Sequence, residues 1–266
     1  MKIAFIGGGV MGEAIIKGIL DQGVARPQDT TASDIDRERL FALGQDYGIR
    51  TSADNRQAIE GSEVVVLAIK PQNLKQVMED LQGQAKEQLF LSIVAGASMA
   101  TISAGLEHNL VVRAMPNTPA QIGEGITVWT ASDEVSQGQK EMAQSILGAL
   151  GKEIYASDEK YIDIATAVSG SGPAYIFLVI EALVDAAVHI GWPQETAGEL
   201  VLETVLGAAR LVQATGKQPA ELRKMVTSPG GTTEEALLQL EEGGLRDLID
   251  RAVVAAYEKA KILGGE

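Results

Sequence analysis

The chain has 266 residues, of which 45% are apolar, so it can form packed cores in one large domain or two ordinary ones. Its 22 basic and 36 acidic residues give a formal charge of −14, which repels a phosphate backbone and argues against a nucleic-acid partner. Because the sequence has no cysteine, disulfides, thiolate catalysis and cysteine metal sites are excluded.

Two apolar stretches are candidates for a signal peptide or a membrane span. Ile3–Ile6 is too short for the core of a signal peptide and runs straight into glycines, so a cytoplasmic location is expected. The stretch Ala174–Ile190 is interrupted by Glu181, Asp185 and His189, whereas a membrane span needs roughly 20 mostly apolar residues. We therefore expect a buried helix of a soluble protein and no membrane partner.

Few residues are candidates for metal binding. Glu181, Asp185 and His189 recur at a spacing of four, but on successive turns of a helix they spread over about 12 Å, too far to meet one ion. The other histidine, His108, lies in the polar stretch GLEHNL and is expected at the surface. No metal site is predicted.

The chain changes character near residue 157. Before it, short β-branched runs alternate with helical patterns, as in a parallel sheet covered by helices; after it, Ala, Leu and Glu recur at spacings of three and four. The sequence therefore predicts an α/β domain followed by a smaller all-helical domain. The strand-like runs are KIAFI, EVVVLAI, LFLSIV and LVVRAM, and helical spacing is found around residues 10–22, 36–46, 72–81 and 134–149.

A glycine-rich turn follows the first strand. KIAFIGGGVMGEAIIKGIL fits G-x-G-x-x-G through Gly7, Gly9 and Gly12. In this pattern the first glycine permits a tight turn, the second lets the backbone approach a pyrophosphate, and the third lets helix and strand pack closely. An ordinary βα turn is the alternative, but the flanking strand and helix favour a Rossmann-like dinucleotide-binding domain over residues 1–157.

The end of the next strand bears on the choice of dinucleotide. Asp34 lies 22 positions after Gly12 (34 − 12), about where an acidic group meets the adenosine ribose hydroxyls, and this favours NAD. Arg37 and Arg39 follow closely and could reach a 2′-phosphate, or they could simply face solvent on a helix. The residues leave NADH and NADPH both open.

Four further segments carry a resemblance to a known family. AIKPQ (68–72) and RAMPNTP (113–119) place prolines where strands end, and SGSGPAY (169–175) and SPGGTTEEAL (228–237) follow in the helical part. In order and spacing the chain closely resembles the pyrroline-5-carboxylate reductases, which reduce a cyclic imine acid to proline, the last step of proline synthesis. The last segment is the most specific.

The resemblance implies roles for individual residues. Members that favour NADPH often carry a small polar or basic residue where this chain has Asp34, so NADPH or NADH is implied without a choice between them. The implied substrate is 1-pyrroline-5-carboxylate, bound in an all-helical substrate-binding and dimerisation domain over residues 158–266. The implied substrate-binding residues are Ser228, Gly230, Gly231, Thr232 and Thr233. The implied cofactor-binding residues are Gly7, Gly8, Gly9, Val10, Met11, Gly12, Asp34, Asp36, Asn55, Ala68, Ile69, Lys70, Pro71, Ala95, Gly96 and Ala97.

Thr233 is the implied catalytic residue. Reduction of a C=N bond needs a hydride from nicotinamide, a held carboxylate and a donor that keeps the ring nitrogen electron-poor. The resemblance assigns that donor to Thr233 and assigns the carboxylate to the N–H groups around Gly230–Thr232. A structural alternative is a capping box between Thr232 and Glu235, which stabilises a helix start without a ligand.

The helical part also predicts self-association. Residues 174–190 and 200–212 are apolar around the whole helix circumference, and about 110 residues offer too little interior to bury them. A partner subunit is therefore expected. This agrees with the family, whose helical domains interlock into homodimers that can assemble further into a ring of five dimers.

Two rival functions deserve comparison. Dehydrogenases of the β-hydroxyacid type share the two-domain plan but use a helix-borne lysine, whereas here no lysine follows SGSGPAY until Lys217. A non-catalytic redox sensor that binds a dinucleotide would leave SPGGTTEEAL unexplained. The imine reductase is therefore the predicted function.

Overall fold

The computed structural model describes residues 1–264 and forms two compact units. The first comprises residues 1–171 together with the end of the chain from Ala255, and the second comprises Gly172–Val254. An eight-stranded sheet forms the centre of the first unit. Its strands are β1 (Ile3–Ile6), β2 (Thr30–Ser33), β3 (Arg50–Ser52), β4 (Val64–Leu67), β5 (Leu89–Ser92), β6 (Val111–Met115), β7 (Gly125–Ala131) and β8 (Gly151–Tyr155).

The strands follow the order β3-β2-β1-β4-β5-β6-β7-β8. The chain moves outward from β1 in one direction and then returns to place β4 on its other side, so the order reverses between β1 and β4. In open α/β sheets such a reversal leaves a crevice at the carboxyl ends of the two strands, where ligands bind. The fold therefore marks the region after β1 and β4 as a candidate site.

The central strands are buried on both faces. Successive residues of β1 point to opposite sides: Ile3 and Phe5 belong to one apolar cluster, and Ala4 and Ile6 to the other. All four are at most 1% exposed. A strand covered by helices on both faces needs a continuous apolar run, which is what the sequence KIAFI supplies.

Helices cover both faces of the sheet. The spacing-based helices at 10–22, 36–46, 72–81 and 134–149 are confirmed within three residues at each end. Side-chain caps fix two of the starts: Asp36 accepts from two N–H groups of α2, and Ser136 forms a capping box with Gln139 at α6. The helices are α1 (Val10–Asp21), α2 (Arg37–Tyr47), α3 (Asn55–Ile59), α4 (Leu74–Leu81), α5 (Met99–Leu106), α6 (Gln137–Gly148) and α7 (Lys160–Ala165).

One strand departs from the predicted parallel pattern. β7 runs antiparallel to β6, with Ala114 opposite Trp129. A parallel return needs a crossover of a dozen or more residues, whereas only residues 116–124 separate these two strands. The connection is therefore too short for a crossover helix, and β8 then pairs parallel with β7.

A buried arginine fastens α7 to the sheet. Arg113 on β6 is 3% exposed, and its guanidinium donates to Glu159 at 2.9 Å and to Asp163 at 2.6 Å. The Glu159 carboxylate also accepts from the backbone N–H of Met99. Because a buried charge needs a partner, these contacts hold α7 in the first unit.

The second unit is entirely helical in its regular elements. Only Ala197 and Val201 are buried among its described residues, so most apolar side chains remain uncovered. One continuous helical segment, Lys160–His189, also has the length and apolar composition of a membrane span. The helices are α8 (Gly172–His189), α9 (Gln194–Thr215), α10 (Pro219–Met225), α11 (Thr232–Glu242) and α12 (Leu245–Gly264), and the end of α12 belongs to the first unit.

Candidate functional site

The glycine-rich turn has the shape of a phosphate cradle. Gly7 has φ +98°, and a Cβ there would lie 2.5 Å from the carbonyl oxygen of Ala68. A Cβ on Gly12 would collide with the carbonyl of Gly7. At Gly9, in contrast, a Cβ would meet no protein atom within 4 Å. The outer glycines are therefore required by the protein itself, and the middle one leaves open space at the start of α1.

The start of α1 offers backbone donors to that space. Its N-cap is Gly9, in an extended conformation, and no side chain caps the helix. The N–H groups of the first turn have no acceptor within the helix, and the helix dipole favours an anion there. A helix start of this kind is a general binding place for anions such as phosphate groups.

Asp34 lies beside the same turn, directly after β2. Its Oδ2 accepts from the N–H of Gly8 at 2.7 Å, and its Oδ1 accepts from the N–H of Asp36 at 3.0 Å. Asp36 itself is the N-cap of α2 and accepts from the N–H groups of Glu38 and Arg39. Asp34 therefore lies against the glycine-rich turn, and Asp36 has a structural task at the start of α2.

The remaining predicted cofactor residues occupy neighbouring loops. Asn55, the first residue of α3, accepts from the hydroxyl of Ser33 at 2.7 Å and so lies next to the end of β2. Ala68–Pro71 follow β4, and Ala95–Ala97 follow β5. Because β2, β1, β4 and β5 are consecutive in the parallel part of the sheet, these loops line one carboxyl edge.

Glu13, Arg39 and Tyr47 form a cluster beside this edge that the sequence did not predict. The guanidinium of Arg39 forms an ion pair with Glu13 on α1 and donates through Nε to the carbonyl of Gly8. The hydroxyl of Tyr47 donates to the other oxygen of Glu13 at 2.9 Å. Burial and the bond to Glu13 raise the pKa of Tyr47 to about 12. Glu13 and Arg39 are 26 residues apart in the sequence, so no local sequence pattern could have predicted their contact.

The second predicted cluster is the turn between α10 and α11. Gly230 has φ +69°, and the N–H of Gly231 donates to the carbonyl of Ser228 at 3.0 Å, which closes a tight turn. The helix then begins at Thr232, so the N–H groups of Thr232 and Thr233 have no acceptor within the helix. All five predicted substrate-binding residues lie together in this turn of the second unit.

The capping box predicted between Thr232 and Glu235 is wrong. The N-cap of α11 is Gly231, which has no side chain, and Thr232 is already the first helical residue. The carboxylate of Glu234 instead accepts from the N–H of Gly230 at 2.7 Å. The turn puts an extended glycine where a capping hydroxyl would stand, so Thr232 is one position too late to act as a cap.

The surface position predicted for His108 is also wrong. His108 is 9% exposed, its Nε2 lies 2.8 Å from the carbonyl oxygen of Gln88, and its ring packs edge-on against Phe90 at 5.3 Å. Its neighbours in the sequence are polar, but the fold turns its ring onto the core side of β5. Its contacts explain it as a structural residue.

The chain is similar to known oxidoreductases in both of its parts. A family model described as pyrroline-5-carboxylate reductase dimerisation matches residues 159–263, and one described as NADP oxidoreductase, coenzyme F420-dependent, matches residues 2–96. The pyrroline-5-carboxylate reductase of Synechocystis sp. is 41% identical over 264 residues, which cover 99% of this chain and 98% of that protein.

Two solved structures are similar over the whole chain. The pyrroline-5-carboxylate reductase of Coxiella burnetii is 42% identical, with a TM-score of 0.89 and 98% of each chain covered. The pyrroline carboxylate reductase of Plasmodium falciparum, solved with NADP bound, is 29% identical, with a TM-score of 0.91 and coverage of 99% of this chain and 98% of that one.

Proposed function

Because the chain belongs to the pyrroline-5-carboxylate reductase family, we propose which of its residues carry the activity of that family. The protein is an NAD(P)H-dependent oxidoreductase that reduces the C=N bond of 1-pyrroline-5-carboxylate to give L-proline. The nicotinamide supplies the hydride. The protein must hold the dinucleotide, hold the substrate carboxylate and polarise the ring nitrogen.

The dinucleotide is proposed to lie along the carboxyl edge of β2, β1, β4 and β5. The observation that carries this proposal is the contrast among the glycines: Gly7 and Gly12 are crowded by protein atoms, whereas Gly9 faces open space at an uncapped helix start. The N–H groups of α1 bind the pyrophosphate, and Asp34, Asp36 and Asn55 face the adenosine ribose. The loops 68–71 and 95–97 line the remainder.

Substitution of Gly9 tests this site directly. A Cβ there meets nothing in the protein, so Gly9→Val should fold normally yet fill the space that the pyrophosphate needs. We expect at least a tenfold weaker binding of reduced cofactor, measured by nicotinamide fluorescence, with an unchanged melting temperature. Gly138→Val is the matched control, because Gly138 lies in the first turn of a helix and also faces open space. Equal cofactor affinity in both variants would contradict the proposed site.

The substrate is proposed to bind at the start of α11. The N–H groups of Thr232 and Thr233 are the donors left for a carboxylate there, since Gly230 already donates to Glu234 and Gly231 to Ser228. The hydroxyl of Thr233 donates to the ring nitrogen and stabilises the charge that develops on it. An iminium is already activated towards hydride, so a strong protein acid is not required.

The helical domain is proposed to start at residue 158 and to carry self-association. The family match begins at residue 159, whereas the compact helical unit begins at Gly172, so the boundary at 157/158 stays a prediction. We propose a homodimer, with five dimers as the larger assembly. Its support is the exposed apolar surface of α8 and α9, where Phe177 is 60% and Leu202 54% exposed.

The apolar surface of α8 also concerns the cellular location of the protein. The segment Lys160–His189 would pass as a membrane span by length and composition, but Glu181 and Asp185 interrupt its apolar surface. We propose that a second subunit covers it, that the protein is cytoplasmic and that it binds neither membrane nor nucleic acid. Flotation with anionic vesicles tests this proposal, because recovery of the protein with the vesicles would contradict it.

One assay compares the proposed reaction with its rivals. Consumption of NADH and of NADPH is followed with 1-pyrroline-5-carboxylate, and a panel of 2- and 3-hydroxy acids is tested with the oxidised cofactors. We expect turnover with the imine alone. Turnover of a hydroxy acid without turnover of the imine would favour the β-hydroxyacid type of dehydrogenase, and no turnover at all would favour a sensor.

A further inference from the structure

The position of Asp34 is fixed by the turn that faces the cofactor. Its two carboxylate oxygens accept from the N–H groups of Gly8 and Asp36, at 2.7 and 3.0 Å. The carboxylate therefore cannot swing away without breaking a bond to the glycine-rich turn itself. Each oxygen keeps a further lone pair, so the group can still accept a hydrogen bond from a ribose hydroxyl.

An arginine beside the glycine-rich turn already has two partners within the protein. Arg39 forms an ion pair with Glu13 and donates to the carbonyl of Gly8, and Tyr47 donates to the second oxygen of Glu13. The side chains of Arg39 and Glu13 are 28% and 30% exposed, so the pair is largely covered. We name these three residues, Glu13, Arg39 and Tyr47, the Arg39 anchor.

The surrounding charge is unfavourable to a second phosphate. Residues 34–39 hold three carboxylates, Asp34, Asp36 and Glu38, against Arg37 and the anchored Arg39. Ile35, between the two aspartates, is 93% exposed and offers no hydrogen bond. A 2′-phosphate carries the same sign of charge as Asp34, and as a dianion it has no O–H to donate to the carboxylate. A 2′-hydroxyl is neutral and can donate a hydrogen bond to it.

We propose that this chain selects NADH over NADPH, and that Glu13 is a positioning residue for that choice because it holds Arg39 away from the ribose 2′ position. Asp34 supplies the attraction for the ribose hydroxyl and the repulsion of the phosphate. Glu13 removes the cation that would otherwise compensate that repulsion. The proposal rests on the proposed cofactor site, and its test separates the two.

Dissociation constants of the wild-type protein give the first test. NADH and NADPH are titrated separately, with nicotinamide fluorescence as the readout, and ADP and 2′,5′-ADP are titrated by calorimetry to isolate the 2′-phosphate. We expect NADH and ADP to bind at least tenfold more tightly than their phosphorylated counterparts. Equal or tighter binding of NADPH overturns the selectivity. If Gly9→Val leaves both cofactors bound as before, the site itself is wrong.

Variants of the anchor give the second test. Glu13→Gln should remove the ion pair and leave Arg39 held by its bond to the carbonyl of Gly8. We expect NADPH binding to tighten about tenfold while NADH binding changes less than twofold, and Arg39→Ala in that background should abolish the gain. Glu38→Gln is the matched control, because it removes the same charge from the exposed start of α2. An equal gain in both single variants would show a general charge effect and overturn the role of Glu13.

Two further variants keep the test independent of folding. Tyr47→Phe removes one bond to Glu13 and leaves the ion pair, so it should shift NADPH affinity in the same direction by a smaller factor. Asp34→Ser should weaken NADH and tighten NADPH. If Asp34→Ser weakens both cofactors alike, Asp34 does not discriminate between them and the proposal fails.

Discussion

At the scale of single residues, two residues of the same type can have different roles because their surroundings differ. Gly7 is required by its φ of +98° and by the nearby carbonyl of Ala68, whereas Gly9 is required by nothing in the protein. The two threonines of α11 also differ, because Thr233 is half-buried and Thr232 is exposed. Function is therefore expected at Gly9, where the fold alone gives no reason for the residue, and the half-buried Thr233 is the threonine proposed to act on the substrate.

Thr233 is the first residue to replace. Thr233→Ala removes the proposed donor to the ring nitrogen, and loss of one such donor costs about 10²-fold in kcat. We expect that loss with nearly unchanged cofactor affinity, measured by steady-state kinetics and fluorescence titration. Thr233→Ser should recover most of the rate, because it restores the hydroxyl. An unaffected kcat in Thr233→Ala would remove Thr233 from the mechanism.

Tyr47 should make stability depend on pH in alkaline solution. Its pKa is raised to about 12, chiefly by burial and then by the bond to Glu13, so the folded state favours the neutral phenol. This stabilisation is complete below the ordinary pKa of about 10 and is lost as the pH rises towards about 12. Urea unfolding across that interval should show a steeper loss for the wild type than for Tyr47→Phe. Parallel curves would contradict the assignment.

At the scale of elements, the helix starts show why a motif must be placed before it is interpreted. Ser136 and Gln139 form a capping box because Ser136 is the non-helical residue before α6. Thr232 and Glu235 have the same spacing, yet Thr232 already lies inside α11. The residue at which the helix begins, which the turn at Gly230 sets, decides whether a pair with this spacing can form a capping box.

A pair of alanine substitutions tests this difference. Ser136→Ala should lower the free energy of unfolding by about 1 kcal/mol, because it removes the acceptor for the N–H of Gln139. Thr232→Ala should change it by less than about 0.5 kcal/mol, because no cap is lost. Thermal unfolding of both proteins provides the comparison. A larger effect at Thr232 would show that its hydroxyl stabilises the helix after all.

At the scale of the whole molecule, the two units bury their apolar residues to very different degrees. The sheet of the first unit has two large clusters of fully buried side chains, whereas in the second unit only Ala197 and Val201 are buried among the described residues. Contiguous exposed apolar surfaces, such as those of α8 and α9, are typical of interaction sites. The family's dimerisation model covers this same region.

Leu178→Glu tests the proposed assembly. Leu178 on α8 is 65% exposed in the single chain, and a buried carboxylate at a subunit interface would be strongly unfavourable. We expect the variant to sediment as a smaller species than the wild-type protein. Ile122→Glu is the control, because Ile122 is 77% exposed but belongs to the first unit. Identical sedimentation of Leu178→Glu and the wild type would place the interface elsewhere.

Local patterns in the sequence were enough to predict four of the buried strands, four of the helices that cover them, the glycine-rich turn and the family. A strand, a tight turn and an amphipathic helix are set by neighbours a few residues apart, so KIAFIGGGVMG could be interpreted without a structure. The resemblance added the turn at 228–233, whose residues the structure brings together in one bend.

Only the tertiary structure decided what depends on distant partners. The ion pair of Arg39 with Glu13 joins residues 26 positions apart. The burial of His108 depends on contacts with Gln88, just before β5, and with Phe90 on that strand. The antiparallel direction of β7 follows from the length of a connection between two strands. These features arise when the chain closes on itself, because contact energies between distant residues leave no periodic trace in the sequence.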